Sequence, residues 1–209
     1  DGFQSLDMEE YKVEDFENVA IAPVGYEDYI GTSDFDFIYA VNVFEHLTDW
    51  MDFLKFVSCK LTPGGSAMFL CPNYGFPYES HYRLPILWNK TITQRVFHRR
   101  IEAIDRKQNS VGLWETLNFV KAKDIQNAIA KTDLSLEIDT SISFELIDRL
   151  KSDKSFAERQ KHIGRVVKIL SYTGILQLFT SQYFKNFHPY MIIKLQKPQP
   201  LFTEEKQTL

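Results

Sequence analysis

Residues 34–73 read DFDFIYAVNVFEHLTDWMDFLKFVSCKLTPGGSAMFLCPN, and the order of apolar runs and turn residues in this stretch decides the fold class. Residues 34–42 are rich in β-branched and aromatic side chains, which predicts a strand covered by helices on both faces. A helix with Thr48 as its N-cap should follow and end at Pro63-Gly64-Gly65. Residues 67–71 (AMFLC) predict a second strand. Strand, helix and strand in this order indicate a parallel, right-handed βαβ unit and the α/β class.

The rest of the chain continues the alternation of strands and helices. Residues 18–23 (NVAIAP) predict a short buried strand, and residues 190–196 (YMIIKLQ) predict a final strand. Between them we expect helices over 85–107 and 122–132, a strand over 134–142, and two or three helical pieces over 144–187. The 209 residues are predicted to form a single domain. Its parts are a central unit (18–73), two insertions that would bind substrate or form a lid (74–113 and 143–188) and a tail (199–209).

Composition excludes several classes of protein. With 24 basic and 28 acidic residues the net charge is −4, so we expect no nucleic-acid partner, and the basic stretch 95–107 is interpreted as a solvated helix face. None of the nine glycines forms G-x-G-x-x-G or a P-loop. No apolar run approaches the ~20 residues of a membrane span, and the N-terminus is acidic, unlike a signal peptide. The two cysteines, Cys59 and Cys71, are predicted to be buried, reduced thiols in a cytoplasmic protein.

Three loops follow predicted strands and should lie side by side. They cover residues 23–28, 42–46 and 72–78. In open α/β sheets ligands bind beyond the carboxyl ends of the strands, so the loops predict one binding cleft.

The segment 34–73 resembles the middle of class I S-adenosylmethionine-dependent methyltransferases that act on small molecules. The likeness rests on an Asp-led strand ending in Asn42-Val43-Phe44-Glu45-His46-Leu47, on Leu61-Thr62-Pro63-Gly64-Gly65, and on Pro72-Asn73. The resemblance implies a Rossmann-like fold, with a mostly parallel sheet, an antiparallel last strand and helical insertions. The family's Gly-rich first motif is absent from these residues. We therefore expect the chain to be N-terminally incomplete.

The resemblance also implies where S-adenosylmethionine binds. The backbone of Asn42, Val43 and Phe44 should lie along this cofactor, and Asp28 should hold its adenine amino group. No metal is expected, because the position equivalent to the first acid of an E-x-x-E-H metal motif is Asn42, and hard cations prefer several anionic oxygens.

Polar and aromatic side chains supply the predicted chemistry. Glu45 and His46 form the main catalytic pair, with His46 as general base and His81 as the alternative base. The loop PNYGFPYESHYR, residues 72–83, predicts a substrate-binding wall. Its predicted contacts are Tyr74, Tyr78, Tyr82 and Arg83.

The sequence thus predicts an enzyme that transfers a methyl group from S-adenosylmethionine to a small-molecule acceptor. Such an enzyme mainly aligns the reacting atoms and excludes water. The principal alternative is a methyltransferase-like module that binds or scaffolds without catalysis. A dehydrogenase-type domain is disfavoured by the missing G-x-G-x-x-G. Homo-oligomer formation and the identity of the acceptor stay open.

Overall fold

The computed structural model describes residues 25–26, 29, 35–159, 164 and 186–199. In chain order the elements are β1 (Phe35–Val41), α1 (Trp50–Lys60), β2 (Leu61–Pro72), β3 (Tyr78–Glu79), β4 (Leu84–Pro85), α2 (Lys90–Gln108), α3 (Leu113–Thr116), α4 (Ala122–Ile129), β5 (Ser135–Asp139), α5 (Ile142–Ser152), α6 (Lys154–Arg159) and β6 (Tyr190–Gln196). A 3₁₀ turn, Phe44–His46, separates β1 from α1. The predicted strand 18–23 and most of the predicted helical stretch beyond residue 159 lie outside the described residues.

The main sheet is mixed, and its strand order is β1-β2-β6-β5. β1 and β2 are parallel and joined through α1, which confirms the predicted βαβ connection. β6 runs antiparallel to both β2 and β5, which confirms the antiparallel last strand. In the described residues the main sheet therefore contains one parallel and two antiparallel strand pairs, rather than the mostly parallel arrangement that was predicted.

The helix α1 begins and ends differently from the prediction. Its N-cap is Asp49, not Thr48, because the Asp49 side chain accepts a 2.9 Å hydrogen bond from the amide of Asp52. Lys197 Nζ donates to the carbonyls of Ser58 and Leu61, both at 2.8 Å, and so caps the last turn.

Pro63-Gly64-Gly65 lies inside β2 and does not end the helix. Phe35 pairs with Leu61 and Phe37 with Ser66, so the intervening residues bulge out of the β1–β2 ladder. A Cβ on Gly65 would lie 3.0 Å from the carbonyl oxygen of Phe35, which explains a glycine at this close approach.

The main core lies between the sheet and the helices α1 and α4. On β2, every second residue from Ala67 to Cys71 is buried, and these residues pack with the buried Met191, Ile193 and Leu195 of β6. The predicted burial is thus confirmed for Cys71 but wrong for Cys59, whose thiol on α1 is exposed. Phe44 stacks on Phe69 at a ring-centroid distance of 5.6 Å, so the turn after β1 is anchored in this core.

One face of β1 is open in the described part of the chain. Phe37, Tyr39 and Val41 are 52%, 68% and 48% exposed, so the prediction that both faces are covered does not hold for the described residues. The side chains of Ile38 and Ala40, which alternate with them, pack against the core.

Residues 74–119 build a second, smaller core around Trp114. The predicted helix 85–107 begins later, at Lys90, because Pro85 pairs with Tyr78 in the β3–β4 hairpin and the Asn89 side chain caps α2. The buried members of this core are Tyr74, Tyr82, Leu84, Ile101, Trp114 and Leu117.

Candidate functional site

The loop after β1 is held in place by its own backbone and by Asn118. Asn42 adopts a left-handed conformation (φ 55°), which turns the chain sharply where the strand ends. The Asn118 side-chain amide donates to the carbonyls of Phe44 (2.8 Å) and Leu47 (3.2 Å), and the Asn118 backbone amide donates to the carbonyl of Glu45 (2.8 Å). The 3₁₀ turn that carries Glu45 and His46 is thus fixed at both ends.

The loop after β2 is held by Asn73, which is buried. Its side-chain amide donates to the carbonyls of Asn186 (3.0 Å) and His188 (2.9 Å). Its side-chain oxygen accepts from the amides of Gly75 (2.9 Å) and Ala122 (3.2 Å). Asn73 therefore ties this loop both to the residues before β6 and to the start of α4.

Glu79 organises the rest of this loop, although no motif in the sequence marks it. Its carboxylate is fully buried and accepts hydrogen bonds from the amides of His81 (3.1 Å) and Tyr82 (2.6 Å). The same carboxylate lies 2.6 Å from His81 Nδ1. A carboxylate accepts the proton of an imidazole N–H, so this contact leaves the lone pair of His81 on Nε2.

His46 is oriented by a neutral partner. Its Nδ1 lies 2.9 Å from Thr116 Oγ1, and that hydroxyl donates its own hydrogen to the carbonyl of Leu113 at 2.8 Å. The Thr116 oxygen is therefore the acceptor from His46, which puts the proton of the neutral ring on Nδ1 and the lone pair on Nε2.

The structure brings the predicted catalytic residues together. The rings of His46 and His81 meet edge to face with centroids 5.4 Å apart, and His46 Nε2 lies 3.9 Å from Glu45 Oε1. A cavity of about 220 Å³ opens beside them. It is lined by Asn42, Glu45, Pro72, Ser80, His81 and Tyr190.

The three ionisable groups have pKa values displaced in different directions. Burial, with a smaller contribution from the charge of His81, lowers the pKa of His46 to about 4. Burial also acts against protonation of His81, but the hydrogen bond and the charge of Glu79, together with the charge of Glu45, raise the His81 pKa overall. Burial raises the pKa of Glu45, although its own backbone amide and His81 act in the opposite direction. At neutral pH His81 is thus the stronger base of the two histidines.

Glu45 is the least satisfied polar group at the site. Its side chain is fully buried, and neither carboxylate oxygen receives a hydrogen bond of normal geometry from the described residues. One donor atom from each of Glu45, His46 and His81 lies within 4.8 Å of the others, so the three residues form a set that could hold a metal ion.

The structure gives some of the predicted binding residues a different role. Tyr74 and Tyr82 are buried in the second core, where Tyr74 stacks on Phe119 and the Tyr82 hydroxyl donates to Asp105 at 2.5 Å. Their aromatic side chains thus pack the loop from inside and do not form the exposed wall that was predicted. The sequence of the loop could not distinguish the two roles, because both use aromatic side chains.

The other predicted residues lie around the cavity or outside the described chain. Tyr78 is half-buried, and burial raises its pKa although the charge of Arg83 acts in the opposite direction, whereas Arg83 itself is exposed. Asn42 lines the cavity. Val43 is exposed beside it. Asp28 lies outside the described residues.

Comparison with known proteins gives relatives but no established function. No protein-family model matches the chain. The chain is 37% identical over 141 residues to uncharacterized proteins from two strains of Mycobacterium tuberculosis, an alignment that covers 67% of this chain and 48% of theirs. The chain thus spans about half the length of the curated relatives it matches.

Solved structures resemble the chain only distantly. One is phosphoethanolamine N-methyltransferase 2 of Haemonchus contortus in complex with phosphomonomethylethanolamine and S-adenosylhomocysteine, with a TM-score of 0.39 and 15% identity over 79% of this chain and 34% of that one. Another is the [4+2]-cyclase SpnF, with a TM-score of 0.40 and 12% identity over 86% of this chain and 57% of that one. Likeness at this level assigns no activity.

In the described part of the chain, no helix has the length and apolar character required to cross a membrane.

Proposed function

We propose that the chain belongs to an S-adenosylmethionine-dependent methyltransferase that acts on a small molecule, and that the described residues form the acceptor side of its site. The observation that carries the proposal is the Glu79–His81 pair at 2.6 Å, placed beside the cavity where β1 and β2 end. A buried carboxylate that orients an imidazole is a common arrangement for a general base.

His81, rather than His46, is proposed as the general base. Both rings carry their lone pair on Nε2, but the Nδ1 partner of His81 is the Glu79 carboxylate at 2.6 Å, which stabilises the imidazolium formed when a proton is accepted, whereas the Nδ1 partner of His46 is the neutral hydroxyl of Thr116. His81 also lines the cavity, so an acceptor hydroxyl bound there could give its proton to Nε2. Glu45 then lines the cavity next to the base, and His46 lies beside Glu45.

The turn after β1 offers a partial site for the cofactor. Asn42 presents a polar side chain at the cavity, and Val43 presents an exposed apolar surface next to it, as a nucleoside requires. Asn42, Val43 and the backbone at Phe44 would hold S-adenosylmethionine here. When bound, this cofactor supplies an electrophilic methyl group.

Calorimetry tests the proposed cofactor. S-Adenosylhomocysteine is titrated into this chain and into a longer version that carries any natural upstream residues the gene encodes. Binding to either form supports a methyltransferase. Absence of binding to both contradicts it and favours the alternative of a non-catalytic binding module, which is consistent with the lack of any Gly-x-Gly among the 209 residues.

A second experiment tests the assignment of the base. The assay uses a preparation that forms S-adenosylhomocysteine from S-adenosylmethionine when a panel of small hydroxylated acceptors is supplied. In this assay H81N should lower turnover roughly 10²-fold or more. The amide nitrogen of Asn replaces Nδ1 and can still donate to Glu79, whereas the proton-accepting Nε2 is lost. H46N is the matched control, and a larger loss in H46N than in H81N would overturn the assignment.

A further inference from the structure

We propose that Glu45, His46 and His81 bind one divalent transition-metal ion. One donor atom from each side chain lies within 4.8 Å of the other two, on the two loops that follow β1 and β2. Donor atoms bound to one ion at about 2.0–2.2 Å and tetrahedral angles lie roughly 3.4 Å apart. Small side-chain rotations would close the set around an ion. The proposal goes beyond methyl transfer and does not depend on it.

The first argument is the orientation of the two imidazoles. Histidines that bind metals usually donate their second ring N–H to a carboxylate, a carbonyl or another fixed acceptor. His81 does so to Glu79 at 2.6 Å, and His46 does so to Thr116 at 2.9 Å. Both contacts use Nδ1 and fix the tautomer in which Nε2 carries the lone pair. The two rings are therefore prepared to coordinate through Nε2.

The second and independent argument is the state of Glu45. Its side chain is fully buried beside the cavity, and both carboxylate oxygens are without a hydrogen bond from the described residues. Burying a carboxylate without a partner is costly, and a bound cation removes that cost by supplying the opposite charge. His46 Nε2 lies 3.9 Å from one of these carboxylate oxygens, and a ring nitrogen of His81 lies within 4.8 Å of the donor atoms of both residues.

The donor set determines the class of ion. Mg²⁺ and Ca²⁺ prefer several oxygen ligands, and this set offers a single carboxylate. Two imidazoles with one carboxylate suit Zn²⁺, Fe²⁺ or Co²⁺, and three protein ligands leave a coordination position open. The cavity of about 220 Å³ lined by Asn42, Ser80 and Tyr190 provides the space for a water or a ligand oxygen at that position.

The prediction from sequence that no metal binds rested only on the residues around Glu45 and His46. The third donor, His81, is 35 residues beyond His46 and joins the set through the packing of the two loops. Metal and proton would compete for the same Nε2 of His81. In the metal-bound form, therefore, His81 could not act as the general base, and the ion would polarise the acceptor in its place.

Direct metal binding tests the proposal without any cofactor or substrate. The untagged chain is treated with a chelator, dialysed, and titrated with ZnSO₄ in a calorimeter, and CoCl₂ binding is followed by visible absorption. E45Q keeps the shape of the side chain without its charge. H81N and H46N keep a side-chain N–H donor at the position of Nδ1 and remove Nε2. H98N, at an exposed histidine of α2, and C59S, at an exposed thiol, are the matched controls.

We expect about one equivalent of Zn²⁺ to bind, with at least roughly 100-fold weaker binding in E45Q, H81N and H46N and unchanged binding in H98N and C59S. Circular dichroism of each variant shows whether it is folded, and the cobalt spectrum of the unmodified chain reports nitrogen and oxygen ligands independently of the variants. The proposal is overturned if the unmodified chain binds neither ion, or if folded E45Q and H81N bind as tightly as the unmodified chain.

Discussion

The loops after β1 and β2 each carry one histidine beside the same cavity, but the two imidazole rings have different hydrogen-bond partners. In the first loop, Nδ1 of His46 contacts the neutral hydroxyl of Thr116, and burial lowers the His46 pKa to about 4. In the second, Nδ1 of His81 contacts the buried carboxylate of Glu79, and the His81 pKa is raised. The two rings are only 5.4 Å apart, so their general environment is shared.

This comparison indicates that the charge of the Nδ1 partner separates the proton affinities of two histidines that are both desolvated. Both rings lose solvation on burial, which lowers the pKa of each. Only Glu79 offsets that loss with a negative charge at hydrogen-bond distance. Thr116 and Glu79 also decide which ring nitrogen carries the lone pair, and in both histidines it is Nε2. The two histidines therefore differ in basicity, but both present a lone pair suitable for a metal ion.

Removing Glu79 should have the largest effect on stability of the changes considered at these two loops. E79A deprives the His81 ring and the amides of His81 and Tyr82 of their common acceptor inside the protein. We expect the free energy of unfolding to fall by about 3–5 kcal/mol, because breaking a buried charged pair leaves its partners unsatisfied. Urea denaturation measures the change. E79Q, which keeps one acceptor oxygen, is the control, and an E79A chain as stable as E79Q would contradict this role.

The two histidines should give opposite dependences of stability on pH in the metal-free chain. The pKa of His46 is lowered from 6.5 to about 4, so its contribution is present above pH 6.5 and is lost as the pH falls toward 4, on the order of 3 kcal/mol in total. The pKa of His81 is raised, so its contribution is present below pH 6.5 and is lost as the pH rises through its folded-state value.

Difference profiles measure these contributions. Unfolding free energies of the unmodified chain are compared with those of H46N and H81N from pH 4 to pH 9, where Asn does not titrate. The advantage over H46N should shrink toward acid, and the advantage over H81N should shrink toward base. Parallel profiles for the two variants would show that Thr116 and Glu79 do not distinguish the rings.

Replacing the neutral partner should have a smaller effect than replacing the charged one. T116V removes the acceptor from His46 Nδ1 and the bond from the Thr116 hydroxyl to Leu113, while keeping the shape of the side chain. We expect a loss of about 1–2 kcal/mol, the usual cost of an unpaired buried polar group. T93V, which removes the contacts of a buried threonine hydroxyl with Leu87 and Asn89, is the control for hydrogen-bond loss alone. Only T116V should alter the histidine tautomer seen by nuclear magnetic resonance.

The smallest effect is expected for a carboxylate paired at the surface. Lys194 lies 2.8 Å from Asp139, and hydrogen bonds from Lys194 and Ser141 lower the Asp139 pKa to about 2. Its stabilisation is present above about pH 4 and lost as the pH falls toward 2, but solvent screening keeps it small. D139N should therefore change the denaturation midpoint far less than E79A. If the two changes are comparable, burial does not explain the strength of the Glu79 contacts.

Much of the main sheet could be predicted because its signals are local. The final strand was predicted at residues 190–196 and is β6 with the same bounds, and the strand over 34–42 contains β1. The errors arose where distant residues compete with a local signal. Pro63-Gly64-Gly65 predicts a helix stop, but it lies inside β2, because Phe35 pairs with Leu61 just before it and the backbone of Lys197 bonds to Gly64 and Gly65.

The candidate site was only partly predictable for the same reason. Glu45 and His46 were selected from their place after a strand, and they do meet the predicted alternative base His81. Glu79, Thr116, Asn73 and Asn118 carry no motif, so only the folded chain shows that they orient the site. Tyr74 and Tyr82 were misread because an aromatic loop has the same composition whether its rings face solvent or a core.

By itself the sequence determined the parallel βαβ unit, the final strand and the position of Glu45-His46 after β1, since apolar periodicity and turn residues act over a few neighbours. Tertiary structure alone decided that His81 reaches that pair, that Glu79 rather than solvent faces its Nδ1, and that Glu45 is buried beside both rings. Desolvation and hydrogen-bond partners depend on residues far apart in the chain, and these two quantities set the charge of each group.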